Sequence, residues 1–122
     1  MDISLDKSSG HYHIKSYDNH RICINDKEYT NPLTVSLDEI TQDTLPRQAT
    51  DINAETLKQL NVDSYEAVLL GTGPNLTQPS WDVIEAAQMM GAPLEVMSTG
   101  AACRTFTVLA SEGRHVLAIL YP

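Results

Sequence analysis

The sequence predicts an α/β domain, antiparallel in its first half and parallel in its second, and three observations carry that prediction. Two apolar runs, residues 67–70 (AVLL) and 94–97 (LEVM), are short, are bounded by glycine or proline, and lack the alternation of a half-exposed strand; they read as buried strands of a parallel sheet. Between them Val83, Ile84, Ala87 and Met90 recur at helical spacing while Asp82, Glu85 and Gln88 fall opposite, the pattern of an amphipathic crossover helix. Upstream, residues 11–17 and 33–37 alternate apolar with polar, as half-exposed strands do.

In chain order, Tyr12 and Ile14 share one face of the first strand and His11, His13 and Lys15 the other. Asp18-Asn19 turns the chain, Ile22 and Ile24 mark a second strand, Asn25-Asp26-Lys27 form a tight turn, and Leu33, Val35 and Leu37 mark a third segment. This half reads as an antiparallel meander. Residues 41–50 are polar around Pro46 and read as a loop, after which Asn53 caps a short helix reaching about Leu60. Pro79 suits the first turn of the crossover helix and Gly91 the position just past its end. A second helix follows residue 98, with Ala102, Cys103, Phe106, Leu109 and Ala110 on its apolar face, Thr99 as its cap and Gly113 as its stop. Residues 115–121 close the chain as a strand, completing a βαβ-α-β unit.

With 122 residues the chain suffices for one domain, 1–122, that buries roughly two thirds of its extended surface without staples. Cys23 and Cys103 form no CxxC pattern, which suits a reducing compartment. A net charge of −8 and a pI near 4.7 oppose binding to a phosphate backbone, so nucleic acid is not an expected partner. The opening MDISLDKSSG reads neither as a secretory signal nor as an Arg-rich transit peptide. No apolar run approaches the roughly 20 residues that cross a bilayer. Together these features lead to the expectation of a cytoplasmic protein without membrane insertion.

A right-handed crossover brings the loops Gly71-Thr72-Gly73 and Ser98-Thr99-Gly100 to one rim of the sheet, where open α/β sheets hold their ligands. The first loop lacks the third glycine of a dinucleotide fingerprint, and its helix starts too late to carry pyrophosphate, so no nucleotide cofactor is expected. The second offers backbone N–H groups from Thr99 through Gly100, Ala101 and Ala102 at a helix start, and Arg104 stands one turn on to grip a carboxylate or phosphate. These residues, Gly71, Thr72, Gly73, Ser98, Thr99, Gly100, Ala101 and Arg104, form the candidate ligand-binding set; the alternative is that Arg104 pairs with Asp82 or Glu112 and only orders the fold. Cys103 sits near the same helix start, which favours a thiolate, yet periodicity puts it on the buried face. His11 and His13 share a strand face with His20 and Cys23 nearby in sequence, but zinc-site spacing is absent, and neither a metal nor a catalytic residue is assigned.

The run Glu95-Val96-Met97-Ser98-Thr99-Gly100-Ala101-Ala102-Cys103-Arg104-Thr105-Phe106, followed by Leu109 and Glu112-Gly113-Arg114, resembles the signature of a family of small α/β domains. That family includes the mitochondrial NADH dehydrogenase (complex I) assembly factor 3, an adipogenesis-associated domain protein and many short bacterial and archaeal relatives; Leu69-Leu70-Gly71-Thr72-Gly73 matches it too. The resemblance implies a three-layer domain with a central mixed sheet, a role exercised through protein partners in respiratory complex biogenesis, and no established enzymatic activity. This chain departs from the family where Phe106-Thr107 replaces a common Tyr-Asn pair, and its polar, acid-bearing opening leads to the expectation of no mitochondrial leader. The expectation is therefore a bacterial-type assembly-factor or protein-interaction domain, non-enzymatic. Its rival is a small-molecule binder or weak enzyme that takes an anion between the 71–73 and 98–104 loops. Apolar side chains of the meander offer an edge for a homodimer.

Overall fold

The computed structural model describes residues 11–122, and the reading of the first ten residues lies outside them. The order is β1 (Ile14–Asp18), β2 (Arg21–Ile24), β3 (Lys27–Tyr29), β4 (Leu33–Val35), β5 (Ile40–Gln42), α1 (Ala54–Gln59), β6 (Ala67–Gly71), α2 (Trp81–Met89), β7 (Leu94–Met97), α3 (Thr99–Ser111) and β8 (Val116–Leu120). Short 3-10 turns at Ala49–Asp51 and Val62–Ser64 flank α1. Strands β1-β2-β3 form a small antiparallel sheet, and a five-stranded mixed sheet runs β5-β4-β8-β6-β7.

Of the two apolar runs, residues 67–70 do become the centre of the larger sheet, whereas residues 94–97, read as a buried strand, form its edge and are only partly covered, with Glu95 exposed. Every residue of β6 and β8 is buried, because both faces are covered. Ala67, Leu69, Ala118 and Leu120 face α3 and the small sheet, where Phe106, Ile22 and Ile24 join them. Val68, Leu70, Leu117 and Ile119 face the other way, onto Leu57 of α1 and Val83 and Ala87 of α2. Each fully buried aliphatic contributes roughly 1.5–3 kcal/mol. The domain is therefore three-layered, with helices α1 and α2 on one face of a mixed sheet and α3 with the small sheet on the other.

Strand β6 pairs in parallel with both β7 and β8, while β4 meets β8 antiparallel. The chain leaves β6 by α2 on one face and leaves β7 by α3 on the opposite face, so β6 and β7 meet at a topological switch point.

Several local expectations need correction. The single meander is in fact two pieces: β4 and β5 belong to the large sheet, the short strand β3 (KEY) follows the turn at Asn25-Asp26, and β5 (ITQ) takes in the first two residues of the stretch read as a loop. His11 and His13 precede β1, and a register irregularity between Ile14 and Ser16 breaks the alternation, so that Tyr17 rather than Ser16 packs on the core with Ile14. Ser98, not Thr99, is the N-cap of α3, its hydroxyl accepting from the Ala101 N–H at 3.4 Å. Pro79 lies before the first turn of α2, whose N-cap is Ser80. The Asn53 cap holds, reinforced by a capping box with Thr56.

Candidate functional site

The two glycine-containing loops do meet at one rim, and what joins them is Thr99. Its side chain is fully buried. The hydroxyl accepts from the Gly73 N–H at 2.7 Å and donates to the Tyr121 carbonyl at 2.6 Å, while the Thr99 N–H donates to the Gly73 carbonyl at 2.8 Å. The Thr72 N–H donates to Met97 O and the Tyr121 N–H to Gly71 O, each at 3.0 Å, so the ends of β6, β7 and β8 are tied together.

Gly71 makes this closure sterically feasible. A Cβ there would stand 2.9 Å from both the Cα and the hydroxyl of Thr99, closer than real Cβ atoms come. Gly73 adopts φ +106°, a conformation that side chains resist, and this lets its N–H and carbonyl both turn toward Thr99. The two loops expected to flank an open cleft are therefore bridged directly by protein, with the Thr99 side chain buried between them. The amides at the start of α3 are partly spent as well, Ala101 N–H on the Ser98 hydroxyl and Ala102 N–H on the Ser98 carbonyl.

Arg104 and Gly100 lie elsewhere than in that crevice. The first turn of α3 carries them to a separate groove of about 450 Å³ between α3 and β1, lined also by Ile14, Tyr17, Cys103 and Val108. A Cβ on Gly100 would sit 3.6 Å from both the Arg104 guanidinium and the Tyr17 ring, so the cation and the aromatic converge over it. Arg104 is exposed and makes no ion pair among the described residues; neither Asp82 nor Glu112 engages it. Thr107 lines the same groove, its hydroxyl donating to the Cys103 carbonyl at 3.0 Å.

Cys103 is buried, and burial pushes its thiol from the ordinary 9.0 up to about 11, the nearby Arg104 charge only partly opposing this. It is protonated at neutral pH and poorly suited to nucleophilic attack. Burial, with Asp51 nearby, also raises the Tyr121 phenol, whose hydroxyl donates to the Pro46 carbonyl at 2.9 Å. Both groups keep their protons in the fold at pH values where the unfolded chain loses them. The stability these two groups contribute is therefore fully present below about pH 9 and is lost as pH rises toward 11. The Cys103→Ala variant is expected to lose less stability than wild type between pH 8 and 10.5 in urea titrations, by on the order of 2 kcal/mol over that interval; parallel curves would show the thiol to be unperturbed.

Sequence reasoning assigned no role to Trp81, yet the residue is 73% exposed. With Pro79, Ile84, Leu94 and Val96 it lines a shallow apolar trough along β7, an edge strand among the described residues. The signal was a lone tryptophan at the margin of the Val83/Ile84/Ala87 stripe. No group of three histidine, cysteine, aspartate or glutamate side chains among the described residues is placed to hold a metal, so His11, His13, His20 and Cys23 do not converge.

A three-layer α/β domain with a mixed sheet, tied together at its strand-end rim by Thr99 and with the exposed Trp81 beside an edge strand, is the class this geometry defines. Within that class, the chain belongs to the family described as a protein of unknown function (DUF498/DUF598), whose pattern matches residues 14–121. It is 26% identical over 98% of both chains to a protein named "13 kDa major membrane protein" from Francisella tularensis. It is 30% identical over 89% of its length to the NADH dehydrogenase 1 alpha subcomplex assembly factor 3 of Xenopus tropicalis, of which it spans 60%. A solved structure from Bordetella parapertussis superposes with a TM-score of 0.83 at 25% identity, covering 93% of this chain and 98% of that one. Among the described residues no helix is long and apolar enough to cross a membrane.

Proposed function

We propose that this domain is a non-enzymatic protein-interaction module of the assembly-factor type, acting in a reducing cytoplasmic compartment and docking a partner polypeptide along β7. The observation that carries the proposal is Trp81, 73% exposed over an apolar trough beside an edge strand. A tryptophan in such a position costs hydration and offers an anchor. An edge strand presents backbone donors and acceptors to an added strand. The exposed acids Asp82, Glu85 and Glu95 alternate with the trough residues, and no lysine or arginine lies between Leu76 and Met97. The partner segment is accordingly extended, apolar in its centre and basic at its flanks. Kinship to the complex I assembly factors supports a partner in respiratory complex biogenesis.

A second reading rests on Arg104. The groove over Gly100 pairs a guanidinium with the Tyr17 ring and apolar walls, a setting for a small carboxylate with an apolar tail. One experiment separates the two. Affinity capture at native expression is run with wild type, Trp81→Asp and Arg104→Ala, using a photo-crosslinker beside Trp81. A partner crosslinked to residues 94–97 and lost only in Trp81→Asp supports docking on β7. If no partner depends on Trp81, and hexanoate shifts Gly100 and Tyr17 resonances in wild type but not in Arg104→Ala, the small-ligand reading replaces it. Self-association through the small sheet would appear as sedimentation that depends on concentration but is indifferent to Trp81→Asp.

A further inference from the structure

A different part of the fold holds polar groups that neither reading uses. The cavity between the β4–β5 hairpin and the turn after α1 encloses about 230 Å³ and is lined by Thr34, Thr41, Gln59, Asn61, Ser64 and Tyr65, with Leu117 as part of its apolar wall. Thr34 stands opposite Thr41 across the hairpin and opposite Ile119 on the other side. Leu117 and Ile119, buried in the core, lie beside it.

Thr34 is only 4% exposed, and its hydroxyl has no hydrogen-bond partner among the described residues. Ser36, equally buried, spends its hydroxyl on the Glu39 N–H at 3.2 Å, and Ser64 donates to the Asn61 carbonyl at 2.7 Å. A buried hydroxyl left unpaired costs on the scale of a lost hydrogen bond, and native structures rarely leave one without a partner from protein, ordered water or a bound molecule. The hydroxyl and carboxamide groups around the cavity make it polar enough to hold one.

We propose that this cavity is a binding site for a small hydroxyl-bearing amine, with the Thr34 hydroxyl as its innermost contact. The charge of the lining selects the class. Glu39 is the one ionic group among the lining residues, and no lysine, arginine or histidine is among them, so an ammonium is favoured and a carboxylate or phosphate is repelled. The volume admits a molecule of a few heavy atoms, below the roughly 300–1,000 Å³ of pockets for drug-sized ligands. Thr34 and Thr41 supply rotatable donors and acceptors, and the Gln59 and Asn61 carboxamides supply both kinds of group.

The test uses the whole chain, labelled for NMR, with ethanolamine as probe and acetate as anionic control. Ethanolamine is expected to produce saturable shifts at the Thr34 and Thr41 methyls and the Asn61 and Ser64 amides, and acetate none there. Thr34→Val keeps the shape and removes only the hydroxyl. It is expected to raise Tm in the absence of probe, because an unpaired buried hydroxyl is gone, and to weaken the ethanolamine response at least tenfold. Shifts that persist unchanged in Thr34→Val overturn the proposal, as do equal responses to acetate. A fall in Tm without probe would reveal an internal partner for the hydroxyl and overturn it too. Absence of any saturable response in wild type means the cavity holds only water, which is also refutation.

Discussion

Replacing Thr99 with valine is expected to lower the unfolding free energy by about 3 kcal/mol, and Tm by about 10 °C for a domain of this size. Valine keeps the volume of the side chain but strands two buried groups, the Gly73 N–H and the Tyr121 carbonyl, that the hydroxyl now joins at 2.7 and 2.6 Å. Each stranded group costs roughly 1–3 kcal/mol, more than a surface hydrogen bond contributes, because neither can turn to water. Thr99→Ser keeps the hydroxyl and loses only a methyl group, so it should recover most of the loss. Urea unfolding gives the energies, and amide exchange at Gly73 reports the latch locally. If Thr99→Val came within 0.5 kcal/mol of wild type, about the scatter among surface substitutions, the rim would not be held by this residue.

Gly71→Ala should cost a similar amount by a different route. The added methyl group meets the Thr99 Cα and hydroxyl at 2.9 Å and the Ala102 methyl at 3.2 Å. Because the first of these atoms is backbone, no rotamer change relieves the clash and α3 must shift off β6; overpacking of this kind costs roughly 1–3 kcal/mol and occasionally more. Both substitutions attack one contact, so their effects should not add: the double variant is expected to lose clearly less than the sum, since a loosened α3 accommodates the methyl group. Strict additivity would mean that Gly71 and Thr99 act independently.

How much of this was legible varied along the chain in a physically ordered way. The strands at residues 67–70 and 94–97 and the helix between them could be read from their local pattern, although only the first is buried as expected, because the second lies at the sheet edge. The strands β3 and β5 could not, because three residues at a sheet edge are too few to carry a pattern of their own and are held as strands by pairing with β2 and β4. Thr34 was hidden for a related reason. Alternation with Leu33 and Val35 marks it as solvent-facing, and only the turn after α1, packing over that face, buries it.

The candidate site shows the same division. That the loops at 71–73 and 98–100 meet follows from a short crossover, and small residues at both announce a close approach. Whether that approach leaves a crevice or closes it depends on where one hydroxyl points, and the fold aims Thr99 at Gly73 and Tyr121. Arg104 is visible in sequence as a cation one turn into a helix, but the rotation of α3 against β1 decides that it faces Tyr17 and not the rim.

The sequence by itself determined the α/β class, the parallel unit, the caps at Asn53, Gly91 and Gly113 and the family kinship, because periodicity and turn chemistry act over a few residues. Only the tertiary structure decided the strand order, the closed rim, the exposure of Trp81 and the unpaired Thr34, because each depends on which distant surface arrives to cover, or leave uncovered, a given side chain.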